Sequence, residues 1–182
     1  NSLIKKAFEL HSKGNIKESS KYYKSFINEG FLDALVFSNY GNILQNSGNL
    51  EEAEELTRKA IELEPNFATA YNNLGIILKA LGKYKEAEIV TKQAIVLDPL
   101  YTDAYYNLGK ILIEMNKSRE AKLILLKAIE LNPNYADAYA SLGGVLRDMG
   151  ESTEAIEVLN KAIKLRSDCY LSYLNLSIIK YS

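Results

Sequence analysis

Asparagine side chains recur in this sequence at a fixed interval that suits binding of a peptide backbone. Asn39, Asn73, Asn107 and Asn175 share one register of a 34-residue step, and Ser141 fills the remaining place. A carboxamide offers a hydrogen-bond donor and an acceptor, so a row of them can pair with an extended peptide irrespective of its side chains. A second interpretation stays open, in which each asparagine caps a neighbouring helix or is a tolerated polar surface residue.

Residues with catalytic or metal-binding potential are sparse. His11 is the only histidine and Cys169 the only cysteine, and neither has a second ligand at metal-binding spacing. His11 is expected at the surface, and Cys169 is expected to be a packing residue, because it takes the place of an aromatic in the other repeats. The sequence therefore predicts no catalytic residue, no metal and no cofactor, and a protein that is not an enzyme.

The elements that must position the asparagines are revealed by an internal repeat. Small residues, aromatics and prolines each recur in phase at a 34-residue step, which chance cannot maintain over four cycles. The registers are Gly41, Gly75, Gly109 and Gly143; Ala53, Ala87, Ala121 and Ala155; Ala60, Ala94, Ala128 and Ala162; Phe37, Tyr71, Tyr105, Tyr139 and Tyr173; and Pro65, Pro99 and Pro133.

Each repeat is predicted to be a pair of helices. In the second full repeat, apolar residues recur from Tyr71 at three- and four-residue steps, and Gly82 is predicted to end that helix. A second helix is predicted from about Tyr84 to Leu97, where Pro99 prevents its continuation. The recurring glycine and alanines allow the two helices to approach closely.

The whole chain is predicted to form one repeat domain. Full repeats are expected at 34–67, 68–101, 102–135 and 136–169, and residues 1–33 form a degenerate repeat. Residues 170–182 are predicted to be the first helix of a further repeat, which is either a cap or cut off from a longer array. The sequence starts with Asn1 rather than Met, so an upstream segment is expected.

Apolar residues at both ends of the array predict an interface. Leu171, Leu174 and Ile178 are placed on the groove side of the last helix, and Ile4 and Phe8 behave similarly on the first. Further repeats, a flanking domain or a second copy of the chain would cover them, unless the terminal helices fold inward.

The repeat resembles the tetratricopeptide repeat, with its aromatic, Leu-Gly, two spaced alanines and proline. The stretches YNNLGIILKALGKYKEAEIVTKQAIVLDP and YYNLGKILIEMNKSREAKLILLKAIELNP carry the resemblance. It implies an all-α, right-handed α-solenoid of antiparallel helix pairs, whose first helices line a concave groove that binds peptides or partner domains. The asparagine register is similar to the asparagine ladder in the repeat arm of O-GlcNAc transferase.

The groove predicted in this way contains residues of mixed charge. Besides the asparagine register, helical spacing predicts that it includes Asn42, Gln45, Asn72, Lys79, Asp103, Tyr106, Lys110, Glu114, Asp137 and Arg147.

The family's carboxylate clamp, which combines two asparagines with three basic residues, is not favoured. Asn42 and Asn73 match its asparagines, but Ser38, Asp103 and Asn107 stand at the basic positions, and Asp103 would repel a carboxylate.

Composition limits the classes of partner. With 22 Lys and Arg against 23 Asp and Glu, the net charge is −1, which gives no field that would attract nucleic acid or an anionic membrane. A single cysteine permits a reducing compartment, so a cytoplasmic location is expected.

The leading hypothesis is a scaffold that binds a protein or peptide. The alternatives are the substrate-recognition arm of a larger transferase and an oligomerisation module.

Overall fold

The computed structural model describes residues 2–180, apart from the side chain of Lys180. Eleven α-helices and no strand are found in that range, which confirms the predicted all-α architecture of helix pairs. The helices are α1 (Ser2–Ser12), α2 (Ile16–Asn28), α3 (Ala34–Asn46), α4 (Leu50–Leu63), α5 (Ala68–Ala80), α6 (Tyr84–Leu97), α7 (Thr102–Glu114), α8 (Ser118–Leu131), α9 (Ala136–Asp148), α10 (Ser152–Leu165) and α11 (Tyr170–Lys180).

The chain divides into two compact units. Unit 1 is Asn1–Leu97 and contains three helix pairs, α1 with α2, α3 with α4 and α5 with α6. Unit 2 is Asp98–Ser182 and contains two pairs, α7 with α8 and α9 with α10, followed by α11, which packs on both α9 and α10. In both units, the pairs from α3 onward fall inside the 34-residue repeats that the sequence predicts.

The turn inside each pair depends on a residue in the left-handed region of backbone space. Gly82 has φ +73°, and it follows α5 as predicted, while α6 has the predicted bounds. The same register holds glycine in every repeat except one, where Asn116 adopts φ 57°. Asparagine is the residue best suited to replace glycine there, because its short polar side chain tolerates this conformation.

The two helices of each pair make their closest approach at the repeating glycine. A Cβ atom added at Gly143 would lie 2.4 Å from Cδ2 of Leu159, and one at Gly75 would lie 2.0 Å from Oγ1 of Thr91. In both units, the facing residue comes from the second helix of the same pair. The glycine therefore has a steric cause, as the sequence predicts.

The recurring alanines complete this packing. Ala87 and Ala94 of α6 are fully buried, as predicted, and Ala121 and Ala128 of α8 are equally buried. At the end of unit 2, Cys169 is 2% exposed and packs with Ala140 and Ala162, which confirms that it is a packing residue.

Candidate functional site

In unit 1, the asparagine register lies on the first helices of consecutive pairs. Asn39 of α3 and Asn73 of α5 are both half-buried, and each comes two residues after the aromatic that packs inside its repeat. The i+2 position on a helix points well away from the aromatic, so these amides stay at the surface of the first helices.

Each of these two amides is held by a hydroxyl of the preceding helical layer. Nδ2 of Asn73 donates to Oγ of Ser38 on α3 at 3.2 Å, and Nδ2 of Asn39 donates to Oη of Tyr23 on α2 at 3.5 Å. Within residues 2–180, neither Oδ1 atom takes a hydrogen bond. Both amides therefore direct a carbonyl oxygen, a hydrogen-bond acceptor, away from the hydroxyl.

Asn42 and Asn72, two further predicted groove residues of unit 1, differ in accessibility. Asn42 is half-buried, and its Oδ1 accepts a hydrogen bond of 3.1 Å from Nδ2 of Asn46 one turn later. Asn72 is only 3% exposed. Placing Asn72 in the groove is therefore corrected, because a side chain with so little exposed surface is inaccessible to a ligand.

In unit 2, the predicted residues of α7 form a polar and aromatic cluster around Tyr135. The hydroxyl of Tyr135 donates to Oδ1 of Asp103 at 2.8 Å, and its ring centroid lies 5.0 Å from that of Tyr106. Nζ of Lys110 lies 5.7 Å from the Tyr106 ring centroid, in cation–π range. Asn107, on the same helix, is half-buried.

The cluster changes the acidity of Tyr135. Burial raises the pKa of its hydroxyl above the ordinary range, and the neighbouring carboxylate of Asp103 raises it further. The hydroxyl therefore remains a donor, and one oxygen of Asp103 is already used within the protein.

Arg147 and Asn175, predicted in the groove, join α9 to α11. Nη1 of Arg147 donates to Oδ1 of Asn175, and the guanidinium also binds Asp148. Asn175 is only 9% exposed, so its side chain is corrected from a groove contact to a contact between helices. Asp137 is similarly engaged, since both of its oxygens accept hydrogen bonds from Arg166.

The apolar residues predicted at the two ends have different environments. Leu171, Leu174 and Ile178 of α11 are exposed by 56%, 41% and 41%. Ile4 and Phe8 are half-buried against the core of unit 1, where the Phe8 ring packs edge-on to Tyr23. The first helix is thus covered by its own repeat, and only the α11 residues retain an open apolar face.

One feature of unit 1 was not anticipated from the sequence. His11 is half-buried, and its Nδ1 lies 2.9 Å from Oη of the fully buried Tyr23, to which Asn39 also donates. The expectation of an ordinary surface histidine is corrected. A usable signal was available, because His11 stands 34 residues before Gln45, which helical spacing predicts in the groove.

Membrane-spanning helices and metal-binding clusters are both absent from residues 2–180. No helix there has the length and apolar character needed to cross a bilayer. No group of three His, Cys, Asp or Glu side chains in that range has the geometry to hold a metal ion.

The sequence matches tetratricopeptide repeat profiles over more than half of its length. The matched segments are residues 34–67, 56–89, 102–135 and 124–157. The chain belongs to the tetratricopeptide repeat family, whose domains bind protein and peptide partners. No curated protein shows significant sequence similarity to it.

Solved structures of similar fold include MamA, with a TM-score of 0.77 and 25% identity, over 88% of this chain and 94% of that one. PilF of Pseudomonas aeruginosa has a TM-score of 0.85 and 20% identity, over 99% and 82%. YrrB, described as a tetratricopeptide repeat protein with an unusual peptide-binding site, has a TM-score of 0.75 and 23% identity, over 94% and 89%.

Proposed function

We propose that the chain is a non-enzymatic scaffold that binds an extended peptide segment of a partner protein along its first helices. The observation that carries this proposal is the arrangement of Asn39 and Asn73 in unit 1. Each amide is fixed by a hydroxyl through its N–H group and keeps its carbonyl oxygen unused within residues 2–180. Two fixed acceptors in equivalent positions are suited to the N–H groups of a peptide backbone.

The chemistry around these amides favours tolerance of peptide sequence. Ser38, Asn39, Asn42 and Asn73 are uncharged, so these positions of α3 and α5 select little for charge. Asn107 occupies the same register in unit 2. The interpretation of these residues as an asparagine ladder, similar to that of the O-GlcNAc transferase arm, forms part of the proposal. The peptide-binding site described for YrrB is consistent with it.

Peptides selected from a random display library would test the proposal. We expect Asn39→Ala combined with Asn73→Ala to weaken binding roughly tenfold, because two hydrogen bonds of about 1 kcal/mol each are partly lost. Isothermal titration calorimetry gives the affinities, and circular dichroism checks the fold. Asn160→Ala, on the exposed face of α10, is the matched control. Unchanged affinity in a folded double variant would show that these amides are not the contact.

A second candidate function, self-association, is favoured by α11. Tyr170, Leu171, Leu174 and Ile178 of this helix are exposed, and no charged residue precedes Lys180 in it. An uncharged helix with several exposed apolar side chains is typical of an interface, and two copies would meet there without charge repulsion. We propose a second copy of the chain as the occupant.

Sedimentation velocity over a range of protein concentrations tests this second candidate. We expect the wild-type chain to form dimers, and Leu174→Glu to remain monomeric because burying the new carboxylate is costly. Leu100→Glu, at an exposed apolar position outside α11, should dimerise as the wild type does. A wild-type protein that stays monomeric at high concentration rules out dimerisation through α11.

A further inference from the structure

We propose that an apolar pocket between the α2–α3 turn and the end of α4 is a docking site for a partner protein, which inserts one large apolar side chain that has a lysine or arginine beside it. This pocket, called the Leu32 pocket below, belongs to unit 1 and has a volume of about 260 Å³. It is lined by Leu32, Phe37, Lys59, Glu62 and Leu63. Small-molecule sites occupy roughly 300–1,000 Å³, so the smaller Leu32 pocket suits a single side chain.

The Leu32 pocket is separate from the asparagine register. Phe37 is 2% exposed and faces the core of unit 1, whereas Asn39, two residues further along α3, points well away from it. The other lining residues belong to the α2–α3 turn and to α4, which is the second helix of its pair. The inference therefore does not depend on the peptide-binding function proposed above.

The 34-residue repeat does not require the apolar lining of this pocket. Leu32 follows Phe31, whereas the three later turns have a proline in the register of Phe31. Phe37 also differs from the later repeats, which all have tyrosine at its register, namely Tyr71, Tyr105, Tyr139 and Tyr173. A phenyl ring brings no hydroxyl to the pocket, so both departures from the repeat make this site more apolar.

The turn that carries Leu32 is held on both sides. Before it, the Phe31 ring centroid lies 5.2 Å from that of Phe26, which belongs to the core of unit 1. After it, the backbone N–H of Val36 donates to Oδ1 of Asp33 at 2.9 Å and so caps α3. Leu32 itself is 71% exposed. A large apolar side chain is thus presented to solvent by a preorganised turn, which lowers the entropy lost on docking.

The carboxylate that lines the pocket is available to a partner. Within residues 2–180, Glu62 has no ion pair, because Lys59 one turn earlier binds Glu55 at 2.7 Å instead. Two repeats later, α8 has lysine and glutamate in the same two registers, and there Lys127 binds Glu130 at 2.7 Å. The sequence spacing would therefore allow Glu62 to be neutralised, but the structure leaves it exposed.

The end of α4 adds to the negative charge. Its last turn contains no basic residue, and a helix C-terminus carries the equivalent of about half a negative charge. Glu64, directly after Leu63, is exposed and has no ion pair in the described part of the chain. Charge complementarity therefore calls for a cation beside the inserted apolar side chain. A second copy that presented the same face would bring like charges together, so the occupant is a basic partner protein.

The experiment follows the methyl resonances of Leu32 and Leu63 in the full chain by nuclear magnetic resonance. Three tripeptides with blocked ends, Lys-Leu-Lys, Lys-Ala-Lys and Glu-Leu-Glu, are titrated separately at constant pH and ionic strength. We expect saturable shifts with Lys-Leu-Lys and about tenfold weaker binding of the other two, which lack either the apolar group or the cations. Shifts that do not saturate with Lys-Leu-Lys, or equal binding of all three probes, would overturn the proposal.

Two variants and two matched controls make the test specific. We expect Leu32→Ser to weaken Lys-Leu-Lys binding about tenfold, read from the Leu63 methyl groups. Glu62→Lys should weaken Lys-Leu-Lys and strengthen Glu-Leu-Glu, a reversal that local unfolding cannot produce. The controls are Leu100→Ser, at an exposed leucine in the register of Leu32, and Glu157→Lys, at an exposed site of α10. Both should bind as the wild type does.

Equal losses in the variants and their controls would contradict the assignment of this pocket. Sedimentation velocity provides the remaining comparison. Dimers that disappear in Leu32→Ser would assign the Leu32 pocket to a second copy of the chain and would also overturn the proposal. Asn39 and Asn73 are unchanged in all four proteins, so the peptide-binding function is tested independently of this result.

Discussion

At the scale of single residues, each repeat depends on a glycine and a facing side chain that leave no space for an added methyl group. Gly143 faces Leu159 so closely that an added Cβ would lie 2.4 Å from its Cγ and Cδ2 atoms. The next residue, Gly144, is also helical, but an added Cβ there would meet only Nδ2 of Asn175, at 3.4 Å. Two neighbouring glycines therefore have opposite tolerance for a methyl group.

We predict that Gly143→Ala lowers the free energy of unfolding by about 1–2 kcal/mol, because overpacking outweighs the gain in helix propensity. Gly144→Ala, the control, should be neutral or stabilise the protein by up to about 1 kcal/mol, since only the propensity term changes much. Urea unfolding followed by circular dichroism measures both. Equal effects of the two substitutions would contradict the close packing at Gly143.

Individual residues also mark the limit of what the sequence could predict about the site. Helical spacing predicted Asn39, Asn73, Asn72 and Asn175 in the groove without distinction, but the first two are half-buried and the last two are buried. Periodicity gives the direction of a side chain from its own helix. It does not give the depth to which a neighbouring helix covers that side chain, which is set by packing.

At the scale of elements, neighbouring repeats of unit 1 are joined by an ion-pair network between α4 and α6. Glu54 accepts hydrogen bonds from Arg58 and from Lys83, and Arg58 also contacts Glu86. Burial alone would raise the pKa of Glu54, but the hydrogen bonds from Lys83 and Arg58 lower it below its ordinary value. The ionised form of Glu54 therefore stabilises the folded chain more than its protonated form does.

We predict that Glu54→Gln lowers the free energy of unfolding at neutral pH by about 0.5–1 kcal/mol, the range for a networked surface pair. Because the pKa of Glu54 is lower in the folded chain than in the unfolded chain, its carboxylate stabilises the fold at pH values above the unfolded-state pKa. This stabilisation is lost as the pH falls through the folded-state pKa. The difference from wild type should therefore shrink below about pH 4. Chemical unfolding across pH measures this.

Glu55→Gln is the control for this prediction. Glu55 is the next residue, lies at the surface and, among the residues that the structure describes, pairs only with Lys59 on its own helix. Its substitution should cost less, about 0.3 kcal/mol. A Glu54 effect that is independent of pH would show that packing, rather than charge, links α4 to α6.

At the scale of the whole molecule, α11 is a first helix that is followed by no second helix of its own within residues 2–180. It packs on α9 and α10, and Arg147 binds Asn175 across that contact. In repeat proteins, stability is approximately a sum of nearest-neighbour contributions, so the end of an array opens more readily than its middle. Cys169, buried directly before α11, becomes accessible when that helix detaches.

We predict that a thiol reagent modifies Cys169 faster than the chain unfolds globally. Asn175→Ala should accelerate this labelling up to tenfold, because loss of the Arg147 contact costs about 1 kcal/mol of local stability. Stopped-flow labelling, compared with the unfolding rate from circular dichroism, gives both quantities. Ser177→Ala, on the exposed side of α11, is the control. Labelling at the global unfolding rate would show that α11 detaches only when the whole chain unfolds.

The fold was more predictable than the candidate site for a physical reason. Gly82, Ala87 and Pro99 act through local backbone and close-packing constraints that recur along the array, so the sequence predicted the end of α5 and both bounds of α6. The hydrogen bonds of His11 and Asn39 to Tyr23 join three helices of a degenerate repeat. No periodic pattern encodes such a contact.

The steric partner of each repeating glycine also bears on how such an array can be rebuilt. In unit 1 the partner is Thr57 or Thr91, and in unit 2 it is Leu125 or Leu159, always sixteen residues further along the same helix pair. Recombination at the boundary between repeats keeps every pair intact. A crossover inside a repeat would set a threonine where the surrounding side chains are shaped for leucine, leaving a cavity. Natural duplication and engineered shuffling of this chain should therefore favour breakpoints in the proline-bearing turns.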